Sequence, residues 1–170
     1  MKNNKGSARD VVVAGVLLFV IGIGFFIANF AINTTVDGLL GQSAVNQSGN
    51  ETITALQSTK TIVNKLDYVV AGFFIALVLG VLITGWFVGG QPIFMGIYFL
   101  INVVAVLLAG ILASFWSSLS QASVFGTTVS LFPITNQILS NLQIYVAVIG
   151  IVGIIVMFAK PYFTEQAGGI

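Results

Sequence analysis

The chain has 170 residues, of which 57% are hydrophobic and only 6% charged, whereas a soluble globular domain carries about 25% charged residues. Such a composition excludes a soluble single domain and, equally, a disordered segment, which would be poor in hydrophobics and rich in net charge. All eleven charges fall within residues 2–10, 37–67 and 160–165, leaving the 92 residues 68–159 without one. This is membrane composition.

Absences narrow the chemistry. With no His and no Cys, the chain offers no disulfide, thiolate nucleophile or zinc site of the usual kind. Its five acidic residues are scattered, and a net charge of +1 provides no long-range field for nucleic acid. The expectation is a non-enzymatic protein with no cofactor and no nucleic-acid partner.

A span needs about 20 mainly apolar residues, and four segments qualify: residues 11–32, 68–88, 93–116 and 136–159. The chain therefore reads as an all-α, polytopic membrane protein, a single domain of four transmembrane helices. The first segment starts basic but is longer than a signal-peptide core and lacks a following A-x-A site, which marks it as an uncleaved anchor. Only Gly89-Gly90-Gln91-Pro92 separates spans two and three, so these should form an antiparallel hairpin. The fourth span is surest from Leu142 to Ala159, where Lys160-Pro161 ends it, but its helix could begin near Thr135, as an N-cap two residues after Pro133. Lys2, Lys5, Arg9 and Lys160 in the tails outnumber Lys60 and Lys65 in the first loop, which places both tails on the cytoplasmic, or cytoplasm-derived, side.

Residues 33–67 form the sizeable polar loop, and its second half has helical order. Ser48 and Glu51 fit a capping box; Ile53, Leu56, Val63 and Leu66 then make a narrow heptad-like stripe, interrupted by Lys60. One helix is expected from residue 49 to 88, roughly 60 Å long at 1.5 Å per residue, and its protruding stripe needs an apolar partner. Three N-x-S/T sequons, at Asn33, Asn46 and Asn50, crowd this loop; Asn33 lies too near the bilayer for glycosylation.

Residues 117–141 are polar but uncharged, with Ser and Thr set among Phe125, Leu131 and Phe132. A segment of this kind belongs at headgroup level, under a neighbouring subunit, or in a re-entrant stretch covered by protein. Trp116 would sit in the interfacial aromatic belt. Phe125 and Phe132, with the stripe at Ile53, Leu56, Val63 and Leu66, are the candidate partner contacts.

Lipid gives helices no hydrophobic reason to associate, so small residues that allow close approach are informative. Gly72, Ala76, Gly80 and Thr84 recur every four residues in span two, as do Ala105, Ala109, Ala113 and Ser117 in span three. These are two candidate packing seams. Gly150 and Gly153 in span four, and Gly15, Gly22 and Gly24 in span one, are weaker versions. Asn102, in the middle of span three, should find an interhelical hydrogen bond. No span carries an acid or base that could relay protons or sense voltage, which argues against an ion-coupled transporter.

The stretch Leu131-Phe132-Pro133-Ile134-Thr135-Asn136-Gln137-Ile138-Leu139-Ser140-Asn141-Leu142, followed by a Gly/Ile/Val span and Met157-Phe158-Ala159-Lys160, resembles the C-terminal part of small hydrophobic membrane proteins of bacterial and archaeal viruses. The resemblance covers the last quarter of the chain and contains no catalytic motif. It implies a protein of a virion membrane or of a viral assembly apparatus. Tetraspan junction proteins share a four-span topology, but the Trp and Cys signature of their first loop is missing here. Two functions fit: a structural or assembly subunit of a multi-protein membrane complex, packing as a homo-oligomer or with other subunits, and a holin-like pore former.

Overall fold

The computed structural model describes residues 9–47, 49–88 and 92–167. The protein is all-helical, with three long apolar helices and a bent helix pair that makes a fourth candidate span. Its elements are α1 (Arg9–Leu40), α2 (Ser43–Gln47), α3 (Asn50–Asn64), α4 (Leu66–Val88), α5 (Pro92–Ser120), a 3₁₀ turn (Ser123–Phe125), α6 (Gly126–Leu131), α7 (Pro133–Ser140) and α8 (Leu142–Ala167).

Four long helices make the bundle, in the spatial order α1, α4, α8, α5. Consecutive α4 and α5 lie across the diagonal and barely touch, because α1 and α8 each pack against both. The hairpin expected of spans two and three is thus one of connectivity and not of contact. Its link at residues 89–91, the basic residues Lys2 and Lys5, and Ser48 lie outside the described residues. A central cluster of Leu18, Phe19, Phe26, Ala105, Ala109, Leu142 and Val146 joins α1, α5 and α8.

The outward surface of this bundle is apolar. Val20, Ile75, Leu79, Leu100, Leu107 and Ile151 are all exposed, as a chain surrounded by lipid permits, since hydrocarbon solvates such side chains without cost.

The first polar loop is more helical than its residue types suggest. α1 continues two turns past the expected end at residue 32, through Asn33, Thr34, Thr35 and Gly38, to Leu40. These are modest helix formers, and packing overrides their propensity. α3 runs back along this extension, burying Val36 and Val63 between the two helices. Asn29 and Asn33 both donate to the Asn64 carboxamide oxygen at 3.0 Å, and Lys60 reaches the Asp37 carboxylate at 2.7 Å. The lysine that interrupts the stripe therefore bridges to α1.

Residues Asn50–Phe87 form one long helical rod of 38 residues, as expected, with a local tightening at Lys65, whose N–H bonds the Ile62 carbonyl at 3.0 Å. Gly49 occupies the N-cap position of α3 at φ 101°, and the capping box expected from Ser48 lies outside the described residues. Only glycine adopts that backbone at no steric cost.

The fourth span departs furthest from expectation. It does not run straight from residue 136; α7 and α8 meet at Asn141 with a bend of 69°. α7 starts at Pro133, with Phe132 as N-cap residue, and Thr135 lies inside the helix. Between Pro133 and Gly150 there is neither proline nor glycine, the usual local causes of a kink. Tertiary contacts must hold the elbow.

Candidate functional site

The contact that holds the elbow is built around Asp67. This residue sits in the first turn of α4 and is buried. Its carboxylate accepts the Ile134 N–H at 3.0 Å, the Thr135 N–H at 2.7 Å and the Thr135 hydroxyl at 2.7 Å. The first N–H groups of any helix lack intrahelical partners, and Pro133 at the first position removes one of them outright. Asp67 satisfies the next two from another helix. No basic side chain is among its three donors, all of which come from the first turn of α7. Thr135 is a donor to this cap and not the cap itself.

A second tie is made by the next residue of α7, Asn136. The Trp116 indole N–H donates to the Asn136 carboxamide oxygen at 3.0 Å, and Ser140 donates to the same oxygen at 3.2 Å. Trp116 is fully buried, so it does not serve as a lipid-facing belt residue. Its ring meets Phe26 edge-on at 5.0 Å. Phe26 in turn contacts Phe125 at 5.4 Å and Phe132 at 6.1 Å, and Phe125 also meets Phe30 at 4.9 Å. Such edge-to-face pairs add about 0.5–1.5 kcal/mol each beyond their burial. Within residues 117–141, Thr128, Phe132, Thr135, Ile138 and Leu139 are thereby buried against the chain's own helices, while residues 121–124, 126, 127 and 130 stay exposed.

The expected partner contacts accordingly point inward. Phe132 is fully buried and Phe125 packs against the central cluster. Val63 is buried and Leu66 joins the same cluster, while Ile53 and Leu56 are half-buried on the stripe that faces α1. The apolar partner that the stripe requires is α1, in the same chain.

The two small-residue seams separate. Ala105 and Ala109 are buried and Ala113 half-buried, all packed into the α1–α5–α8 cluster. On α4 the opposite holds: Gly72, Ala76 and Gly80 are exposed, and a Cβ added at Gly72 or Gly80 would meet nothing within 4 Å. Thr84, half-buried, turns its hydroxyl back to the Gly80 carbonyl at 2.8 Å. The seams do not face each other.

The closest helix approach uses the glycines that looked weakest. A Cβ at Gly150 would overlap the Asn102 carboxamide, and one at Gly153 would overlap the Tyr98 hydroxyl. Asn102 and Tyr98, one turn apart on α5, thus fit over two bare stretches of α8. Among the described residues neither the Asn102 Oδ1 nor the Tyr98 hydroxyl has a hydrogen-bond partner, so Asn102 Oδ1 accepts no interhelical bond and meets α8 through a steric fit. Gly85, against the Gly153 carbonyl, and Gly110, against Gln143, belong to the same packing and lie outside the four-residue repeats. Their single spacing carries no periodic signal.

Comparison of the chain with family models, with curated proteins and with solved structures finds no match to any of them. The chain is a multi-span membrane protein by its helices and composition, and its function rests on the geometry above.

Proposed function

We propose that this chain is a non-enzymatic structural or assembly subunit of a multi-protein membrane complex, of the kind found in viral membranes. One observation carries the reading. Gly22 of α1, Ala105 and Ala109 of α5 and Gly150 and Gly153 of α8 are taken up by close packing within the chain, whereas Gly72, Ala76 and Gly80, four residues apart on α4, present a bare strip to the outside. In a bilayer such a strip lets a second backbone approach closely. The resemblance of residues 131–142 to small viral membrane proteins supports the viral setting. The tails face the cytoplasm-derived side in this reading, and α2 with the far end of the α1–α3 pair projects on the other.

Because the chain has no cysteine, Ala76→Cys supplies a single reporter on the strip. Oxidation in native membranes should give a disulfide dimer if copies pack through α4; mass measurement of the gently extracted particle would reveal a different subunit there. A strictly monomeric particle would overturn the proposal. The same cells, followed by membrane-potential dye, separate assembly from pore formation: abrupt depolarisation and lysis would favour the holin-like function. Cysteines at Ser7, Ser58 and Thr164 test orientation, since labelling of Ser7 and Ser58 variants from one face would contradict it.

A further inference from the structure

The elbow creates a feature that the packing of the bundle does not use. By bending away from the axis of α8, α7 rests its first turn on Asp67 and leaves an open groove of about 430 Å³ between itself, α4 and α8. Its walls include Ala71, Phe74 and Ile75 of α4, Ile134 and Ile138 of α7, and Tyr145 of α8. Phe74 and Tyr145 form an edge-on ring pair, with centroids 5.2 Å apart. Ile75 is at once a wall of the groove and, at 59% exposure, part of the outer surface of α4. The groove therefore opens onto the face that meets the bilayer.

The medium at that face decides the occupant. Ordered water needs two to four polar partners, and beside the Tyr145 hydroxyl the lining supplies only the Gln137 carboxamide as a polar side chain. An α-helix, about 10–12 Å across with its side chains, is too thick to enter a groove whose α4 wall spans a single turn, Ala71 to Ile75. A void facing hydrocarbon forfeits dispersion contacts along its whole lining. A flexible methylene chain recovers them, and the exposed Gln137 offers its carboxamide to the ester end. We propose that this groove holds one acyl chain of a bilayer phospholipid as a resident lipid, wedged between α4 and the elbow. This inference is independent of the α4 strip, which faces a different direction from the groove.

The test uses the full chain reconstituted in phosphatidylcholine vesicles doped with phosphatidylcholine bearing a diazirine on one acyl chain. After photolysis, adducts are mapped by mass spectrometry. Residues 71–75 and 133–145 should carry several-fold more adduct than the exposed apolar stretch of α5 around Leu100, Val104 and Leu107. Ala71→Trp, which fills the groove from α4, should bring that ratio to about one, whereas Leu100→Trp should leave it unchanged. Ile75→Trp serves if the first variant does not fold. Uniform labelling of all lipid-facing residues, or an unchanged ratio in the filled variants, would overturn the proposal.

Discussion

Asp67 and Thr135 are 68 residues apart in sequence, yet the Asp67 carboxylate accepts both the backbone N–H and the hydroxyl of Thr135, each at 2.7 Å. Together with the bond from Ile134, this contact sets the direction in which the chain from Pro133 onward leaves the loop and enters the bundle. An acid is valuable there because it takes up several orphan donors at one helix start, and costly because it is buried. Both facts make it sensitive to substitution.

Asp67→Ala should lower stability in detergent by about 3 kcal/mol, since a buried donor left unsatisfied costs roughly 1–3 kcal/mol and two backbone donors lose their acceptor. Asp67→Asn should fall between wild type and Ala, because one carbonyl oxygen remains. Thr135→Val should cost only about 1 kcal/mol, as the Thr135 N–H keeps its bond. Thermal unfolding followed by circular dichroism gives the order, and chymotrypsin cleavage after Phe125, which precedes Gly126, should rise in parallel.

The Asn102–Gly150 fit predicts coupling. Gly150→Ala forces the carboxamide aside and should destabilise by about 1–3 kcal/mol, the range for overpacking. In an Asn102→Ala background the same change should cost far less, giving a negative interaction energy in a double-mutant cycle when destabilisation is counted positive. Equal costs in both backgrounds would show that the two helices do not meet at this point.

Ala109→Leu and Gly80→Leu should fail differently. Ala109 is buried between helices of one chain, so Leu there should unfold or swell the monomer. Gly80 faces outward; its Leu variant should keep the monomer's melting temperature and abolish any higher-mass species. Leu77→Ala and Leu108→Ala should be milder than Ala109→Leu in the thermal assay.

In a host that glycosylates proteins, with residues 33–67 on the lumenal side, Asn50 should accept a glycan and Asn33 should not. The Asn33 amide donates to Asn29 at 2.7 Å and to Asn64 at 3.0 Å inside the α1–α3 pair, whereas Asn50 is exposed at the start of α3. A mobility shift lost in Asn50→Gln and kept in Asn33→Gln would fit this arrangement; the reverse would contradict the packing of α3 on α1.

Much of the fold was legible along the chain because the bilayer imposes a local rule: about 20 apolar residues in a row must be helical to satisfy their own backbone. The absence of charge from residue 68 to 159 and the long rod of residues 50–87 follow from composition and unbroken helix-forming sequence, with no knowledge of neighbours. The small residues at 72, 76, 80, 105 and 109 were equally visible as repeats. Which of them lie inside was not, since that depends on how each helix is rotated about its axis, and helices that are apolar all round carry no amphipathic mark to fix the rotation. Tertiary structure alone decided that α8 lies between α4 and α5, that the stripe of α3 closes on α1, and that Pro133–Ser140 turns away from α8. The last two depend on pairs such as Lys60 with Asp37 and Asp67 with Thr135, whose partners lie 23 and 68 residues away. A capping acid supplied from another helix leaves no pattern beside the helix it caps.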